Sequence, residues 1–245
     1  MHRCHVGTNQ LLADTCLLPH EEARHLQTVL RVKINEQITL FDGHGNTRLV
    51  RIIASSKQGL QYTAEAPLIQ HPRPSCRITL FACISKGNRM EWTVEKAVEL
   101  GVAQLVPVIS ARTIVRCDPT EDHAKSRRWQ RIAAEAGRQC GATWLPTITP
   151  PTAFQDCLAQ VQQTAPVFIA SLAPQTPALR TILTRYTQPP PCAGLFVGPE
   201  GDFTAAELEA LCTANAISVN FGSQILRAET ACLYGLCVLN HAWLA

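Results

Sequence analysis

Two loops carry the residue types best suited to chemistry. The first, Val197-Gly198-Pro199-Glu200-Gly201-Asp202-Phe203, lies between a fully apolar stretch and a helix with a cap signature. Its two glycines let backbone approach a ligand closely, and a helix start offers free N–H donors. The second, Phe221-Gly222-Ser223-Gln224-Ile225-Leu226-Arg227-Ala228-Glu229-Thr230-Ala231, sets an arginine and a glutamate between a strand and the last helix. On composition alone each is equally a plain turn, since Gly-Pro marks turns in general. No G-x-G-x-x-G follows a strand and no G-x-x-x-x-G-K-[ST] occurs, so neither a dinucleotide fingerprint nor a P-loop is present. G-x-S-x-G and H-E-x-x-H are absent as well. His241 is the only histidine near the second loop, which argues against histidine acid–base catalysis there. No C-x-x-C pair exists, and His2, Cys4 and His5 are a weak metal set at a chain terminus, so no metal is expected.

Such loops need a frame. From Arg77 onward strands and helices alternate: strands 77–84, 104–109, 167–172, 194–197 and 217–221, with helices 89–100, 205–214 and 229–243 and a basic helix around 125–140. Alternation of this kind predicts a parallel sheet covered by helices, whose ligands sit in loops at the carboxyl ends of the strands. Asn88 stands three residues before Glu91 and Thr204 three before Glu207, the second a capping box. The first 66 residues read instead as short strands, 37–41, 47–54 and 60–65, separated by turns at 42–46 and Lys57-Gln58-Gly59, with one helical segment near 21–26. Pro67, Pro72 and Pro74 interrupt both periodicities, placing a boundary near residue 72. The domains expected are 1–72, a small β-barrel, and 73–245.

A 245-residue chain with 46% hydrophobic and 17% charged residues has the composition of a folded protein. No apolar run approaches the roughly 18 to 20 residues of a membrane span, and no secretion signal opens the chain, so a cytoplasmic location and reduced thiols for the 11 cysteines are expected. The net charge of +3 is mild but unevenly placed: basic side chains exceed acidic ones by four over 74–140 and fall short by three over 141–245. Lys125, Arg127, Arg128, Arg131 and Arg138 share a stretch in which Trp129, Ile132, Ala133, Ala136 and Cys140 repeat at helical spacing. Its basic face is either a solvated surface balanced by Glu121 and Glu135 or a phosphate-contacting one.

The loops Gly198-Pro199-Glu200-Gly201 and Ile225-Leu226-Arg227-Ala228-Glu229-Thr230-Ala231 resemble the signatures of the SPOUT RNA methyltransferases. Lys86-Gly87-Asn88-Arg89-Met90-Glu91, Glu95 to Val102, and His25-Leu26 to Val29-Leu30-Arg31 extend the likeness, in order along nearly the whole chain, to the ribosomal RNA small subunit methyltransferase E family. The resemblance implies an α/β fold with a C-terminal knotted parallel-sheet SPOUT domain (a trefoil knot), a small N-terminal PUA-like β-barrel that binds RNA, and a homodimer. It implies S-adenosyl-L-methionine as methyl donor and N3 of one uridine of 16S rRNA, on the 30S subunit, as acceptor. Cofactor contacts then fall to Leu172, Gly198, Glu200, Gly201, Gly222, Ile225 and Leu226.

Transfer of a methyl from a sulfonium is an in-line displacement in which positioning does most of the work. Uridine N3 carries a proton, so an anionic imide has to be favoured. Arg227 is the candidate to stabilise that charge, unless it is held in a structural ion pair with Glu229 or Glu200; Glu229 is the first candidate to take the proton. Arg24, Arg31, Lys86, Arg89, Arg128 and Arg131 would contact RNA phosphates. Two departures stand out: Arg138 and Ala142 replace a Glu and an Arg of the family's E-A-x-E-Q-x-x-R, and Asp202 replaces the second glycine of G-P-E-G-G, a change that helix-start electrostatics should tolerate. The alternatives are a catalytically silent RNA-binding assembly factor, which would not need the cofactor loops, and a related methyltransferase acting on another RNA, which would not need the barrel.

Overall fold

The computed structural model describes residues 2–56, 58–114 and 119–244, those of 119–122 as backbone only; Lys57 of one expected turn and the Glu121 side chain therefore lie outside the described residues. The chain forms two compact units, residues 1–73 with 134–145, and residues 74–133 with 146–245.

In the first unit, β1 (His2–His5), α1 (Thr8–Leu12), β2 (Thr15–Leu17), α2 (His20–Thr28), β3 (Gln37–Phe41), β4 (Asn46–Ser56), β5 (Gly59–Ala64) and β6 (Ile69–Gln70) follow in order. One sheet runs β1-β3-β4-β5-β2, with β6 beside β4; only the β1–β3 pair is parallel. Val50 and Ile52 of β4 alternate inward and meet Cys4, Leu26, Ile38, Leu40 and Tyr62 in one core. β1, β2 and α1 were not legible in the sequence, because at 4, 3 and 5 residues each spans no more than two or so repeats of its own pattern. The turn after β3 is organised by the buried Asp42, whose carboxylate accepts from the N–H groups of His44 (2.8 Å) and Asn46 (3.1 Å), the Asn46 amide (2.8 Å) and the Thr8 hydroxyl (3.1 Å). Segment 134–145 closes on this turn: the Gly45 N–H donates to Thr143 O and the Leu145 N–H to Gly43 O, both at 2.9 Å. A methyl group at Gly45 would lie 2.3 Å from the Trp144 ring, so glycine is required there. Cys4 is buried and His2 faces Glu36 at 3.6 Å, so β1 does not gather a His2–Cys4–His5 set.

The second unit comprises β7 (Arg77–Cys83), α3 (Arg89–Glu99), β8 (Gln104–Ile109), α4 (Pro119–Cys140), β9 (Thr147–Ile148), β10 (Thr152–Ala153), α5 (Phe154–Gln163), β11 (Val167–Ala170), α6 (Leu179–Leu183), β12 (Cys192–Val197), α7 (Ala205–Thr213), β13 (Ile217–Val219) and α8 (Ala228–Trp243), the last turns of α4 grouping with the first unit. Its strands are all parallel, ordered β10-β8-β7-β12-β11-β13, with β9 beside β8. Burial on both faces explains their near-continuous apolar sequences. Phe81 of β7 stacks on Phe196 of β12 with ring centroids 5.0 Å apart. The sequence reading missed α5 and α6: Phe154, Cys157 and Val161 do keep helical spacing, but neither helix has a side-chain cap to announce it. Asn88 makes no side-chain capping bond to α3, whereas Thr204 and Glu207 form the expected box at α7. On α8, a methyl at Gly235 would stand 2.5 Å from Leu195 of β12, so this glycine sets the close approach of helix and sheet.

Candidate functional site

β12, β11 and β13 are neighbours, so the loops at their carboxyl ends emerge side by side. They enclose a cavity of about 500 Å³ lined by Ala170–Ala173, Val197–Glu200, Asp202, Asn220–Ala228 and Ala231. The two chemistry-bearing loops, distant in sequence, thus share one site. Leu172, Gly198, Glu200, Gly222, Ile225 and Leu226 line it, and Leu172 (58% exposed) and Ile225 (79%) form apolar lips. Gly201 does not reach the wall: its carbonyl accepts from the Arg112 guanidinium at 2.6 Å.

The loops are held from behind. The Glu207 carboxylate accepts from the Thr204 N–H (2.8 Å) and hydroxyl (3.0 Å), and also from the Ala111 N–H (2.8 Å) in the loop after β8. Asp202 has φ +61, in the left-handed region that glycine enters freely and Asp more readily than most residues. The Asp202 side chain turns back to accept from the Phe203 N–H at 2.8 Å. Gly222, at φ +120, begins the second loop, and Asn220 beside it exchanges backbone bonds with Pro177 and Leu179, joining this loop to the one after β11.

Arg227 stands at the N-cap of α8 with Glu229 in the first helical turn. Among the described residues Arg227 pairs with neither Glu229 nor Glu200, and Glu200 is engaged by Arg89 at 2.8 Å. Arg227 lines the 500 Å³ cavity and also a second, more open groove of about 620 Å³, bounded by Lys86, Gly87, Asn88, Arg89, Trp92, Glu229 and Thr230. Glu229 borders this second groove and is not among the residues lining the first, and among the described residues its Oε2 is buried without a hydrogen-bond partner. The groove arises because β7 neighbours β12, which sets the loop before α3 beside the start of α8.

Of the cations expected to meet RNA, Lys86 and Arg89 edge this groove, while Arg128 (66% exposed) pairs with Glu91 at 2.7 Å and Arg131 is exposed. Arg24 and Arg31 are exposed in the first unit, Arg31 with a left-handed backbone at φ +52. Arg138 departs from the expected outer face of α4: it is largely buried and pairs with Glu22 at 3.4 Å inside the first unit. Sequence reasoning missed Trp92, although it sits outside the buried stripe Met90, Thr93, Val94, Ala97 and Val98, and a large aromatic off a helix's apolar stripe is a visible signal.

An RNA methyltransferase domain model matches residues 71–240, spanning both loops and the groove, and an RNA methyltransferase PUA domain model matches residues 18–63. The chain belongs to the RNA methyltransferase family. Within it, the ribosomal RNA small subunit methyltransferase E of Bacillus subtilis is 27% identical over 233 residues, 94% of this chain and 91% of the relative. The solved structure of a ribosomal RNA small subunit methyltransferase E from Neisseria gonorrhoeae, bound to S-adenosyl methionine, is 31% identical with a TM-score of 0.86, covering 99% of this chain and 98% of that one. A Legionella pneumophila methyltransferase solved with the bound cofactor SAM aligns at 29% identity and a TM-score of 0.88, covering 98% and 97%. The fold of this RNA methyltransferase is accordingly that of the SPOUT class, with a PUA-like N-terminal domain.

Proposed function

We propose that this RNA methyltransferase transfers the methyl group of S-adenosyl-L-methionine to N3 of one uridine in 16S rRNA on the assembled 30S subunit, working as a homodimer. Residues 1–72 act as the RNA-binding domain and 73–245 as the methyltransferase domain. The 500 Å³ cavity suits the donor: its volume is within the roughly 300–1,000 Å³ of small-molecule sites. Exposed loop backbone, the carboxylates of Glu200 and Asp202, and the apolar Leu172, Ile225 and Leu226 fit a ligand with polar ends, a cationic sulfur and a flat ring. Gly198, Glu200, Gly222, Leu172, Ile225 and Leu226 hold it directly, and Gly201 supports the loop. When bound, the donor presents a methyl on a sulfonium.

The observation that carries the reading is Arg227, one arginine that lines both the 500 Å³ cavity and the groove beside it. A uracil entering that groove meets Arg227 at O2 or O4, where charge grows as N3 loses its proton. Glu229, with an unpartnered buried oxygen, accepts that proton. Lys86, Arg89, Arg128 and Arg131, with Arg24 and Arg31 of the first unit, contact phosphates, so affinity falls with salt.

The test is transfer of labelled methyl from S-adenosyl-L-methionine to small subunits from cells lacking this modification, with nucleoside digestion. The expected product is 3-methyluridine, and Arg227→Ala should lower kcat roughly 10²- to 10³-fold, as loss of an oxyanion donor does, while cofactor affinity stays near wild type. Unchanged turnover in that variant refutes the role of Arg227. Tight cofactor binding without product redirects the activity to another RNA, and loss of cofactor binding altogether supports a silent RNA-binding factor.

A further inference from the structure

We infer that the groove bounded by Lys86, Arg89, Trp92, Arg227, Glu229 and Thr230 is the seat of the acceptor base, and that Trp92 is the face on which the unstacked pyrimidine lies. The inference rests on the RNA-methylating reading above and names the part of the site that receives the substrate.

Trp92 is 43% exposed, although a tryptophan is highly buried on average. Its neighbours along α3, Met90, Thr93 and Val94, are buried, so the helix is anchored without it. Trp92 borders a groove whose other side-chain-bearing members are cationic, acidic or short polar residues. That combination of one aromatic face, flanking cations and a carboxylate is what a single nucleotide asks for: stacking for the base, positive charge for its phosphates, and an acceptor for a ring N–H. A base inside a helix cannot present N3 to a donor buried in a loop cavity, so it has to leave its stack and be received elsewhere. Only a seat sharing a wall with the donor cavity would serve, and this groove shares Arg227 with it. Lys86 and Arg89, at the approach to α3, meet the flanking phosphates; for Arg89 this competes with its 2.8 Å pair to Glu200.

Two measurements test the assignment. In the first, tryptophan emission is titrated with a hexanucleotide of uridines in the presence of S-adenosylhomocysteine, for wild type and Trp92→Phe. Quenching in the wild type that is absent in the variant is expected; equal quenching, or none in either protein, overturns the assignment. This readout does not depend on turnover, so it stands even if the 16S rRNA reading fails. In the second, methyl transfer is compared for Trp92→Ala and Trp92→Phe. Loss of one stacked base corresponds to a roughly 5- to 150-fold drop in kcat/KM for Trp92→Ala, with cofactor affinity unchanged and most of the loss restored in Trp92→Phe. Wild-type activity in Trp92→Ala refutes the base seat while leaving the methyltransferase reading intact. A shift of Trp92→Ala to a smaller sedimenting species, with unaltered quenching, would instead make this face a contact between copies of the chain and overturn the proposal.

Discussion

Glu207→Ala probes how the donor cavity is held. Glu207 is 7% exposed and its carboxylate accepts three bonds, from the Thr204 N–H and hydroxyl and from the Ala111 N–H, while the Glu207 N–H donates back to the Thr204 hydroxyl at 3.2 Å. Losing the box costs about 0.5–2 kcal/mol in helix stability. Ala111 is exposed and water can replace part of its bond, so that loss is near the lower end, about 1 kcal/mol. Together the substitution should cost about 1.5–3 kcal/mol, a large share of the roughly 5–15 kcal/mol typical of a folded domain. Thr204→Ala removes the hydroxyl of the box and leaves the Ala111 tie, so it should cost about 1 kcal/mol and separate the two contributions. Urea unfolding at constant m reads both values, and calorimetry reads the cofactor, whose affinity should fall more for Glu207→Ala because loop 198–203 loses its tether to the segment after β8. A Glu207→Ala protein within about 0.5 kcal/mol of wild type would refute the idea that this carboxylate joins the two loops.

Gly235→Ala should destabilise by about 1–3 kcal/mol through overpacking against Leu195, less about 1 kcal/mol gained in helix propensity, and thermal unfolding would show the net loss. For Asp42, burial pushes the carboxyl upward, but the hydrogen bonds from Asn46, His44 and Thr8 outweigh it and hold the group below its ordinary 3.8. Its contribution is therefore complete above that value and lost as pH falls toward the folded one, so acid unfolding of Asp42→Asn should show a shallower slope below pH 3.8 than wild type. Burial pushes the Cys83 and Cys157 thiols up to about 12, and Cys232 higher still, while Cys140, Cys212 and Cys237 are exposed. Maleimide labelling near pH 8 with peptide mapping should mark the exposed three and reach the buried three only on unfolding.

Much of the frame was legible. The apolar runs of β7, β8, β11 and β12 read as strands, their alternation with helices read as a parallel sheet, and the Thr204–Glu207 box marked α7 because both partners lie within one turn. Asn88 and Glu91 have the same spacing but form no cap, since spacing permits a side-chain bond and local backbone geometry decides whether it is made. α5 and α6 passed unread for want of capping residues, and the left-handed backbone of Asp202 shows only in three dimensions. Arg138 looked like part of a solvated basic face because helical periodicity cannot show that the last turns of α4 leave one unit for another and meet Glu22.

By itself, then, the sequence determined the local pieces: two glycine-bearing loops, an arginine at the start of the last helix, and the alternation that requires a parallel sheet. All of these are set by contacts within a few residues, through backbone freedom, capping and the periodicity of burial. Only the tertiary structure decided that strand order β12-β11-β13 brings three loops around one cavity, that Arg227 is left out of the Arg89–Glu200 pair, and that Trp92 and Glu229, more than a hundred residues apart, border the same groove. Those outcomes depend on which strands pair and how closely α8 can lie on β12 at Gly235. Pairing of that kind is a property of the whole packed sheet, carried by hydrogen bonds between segments far apart in the chain.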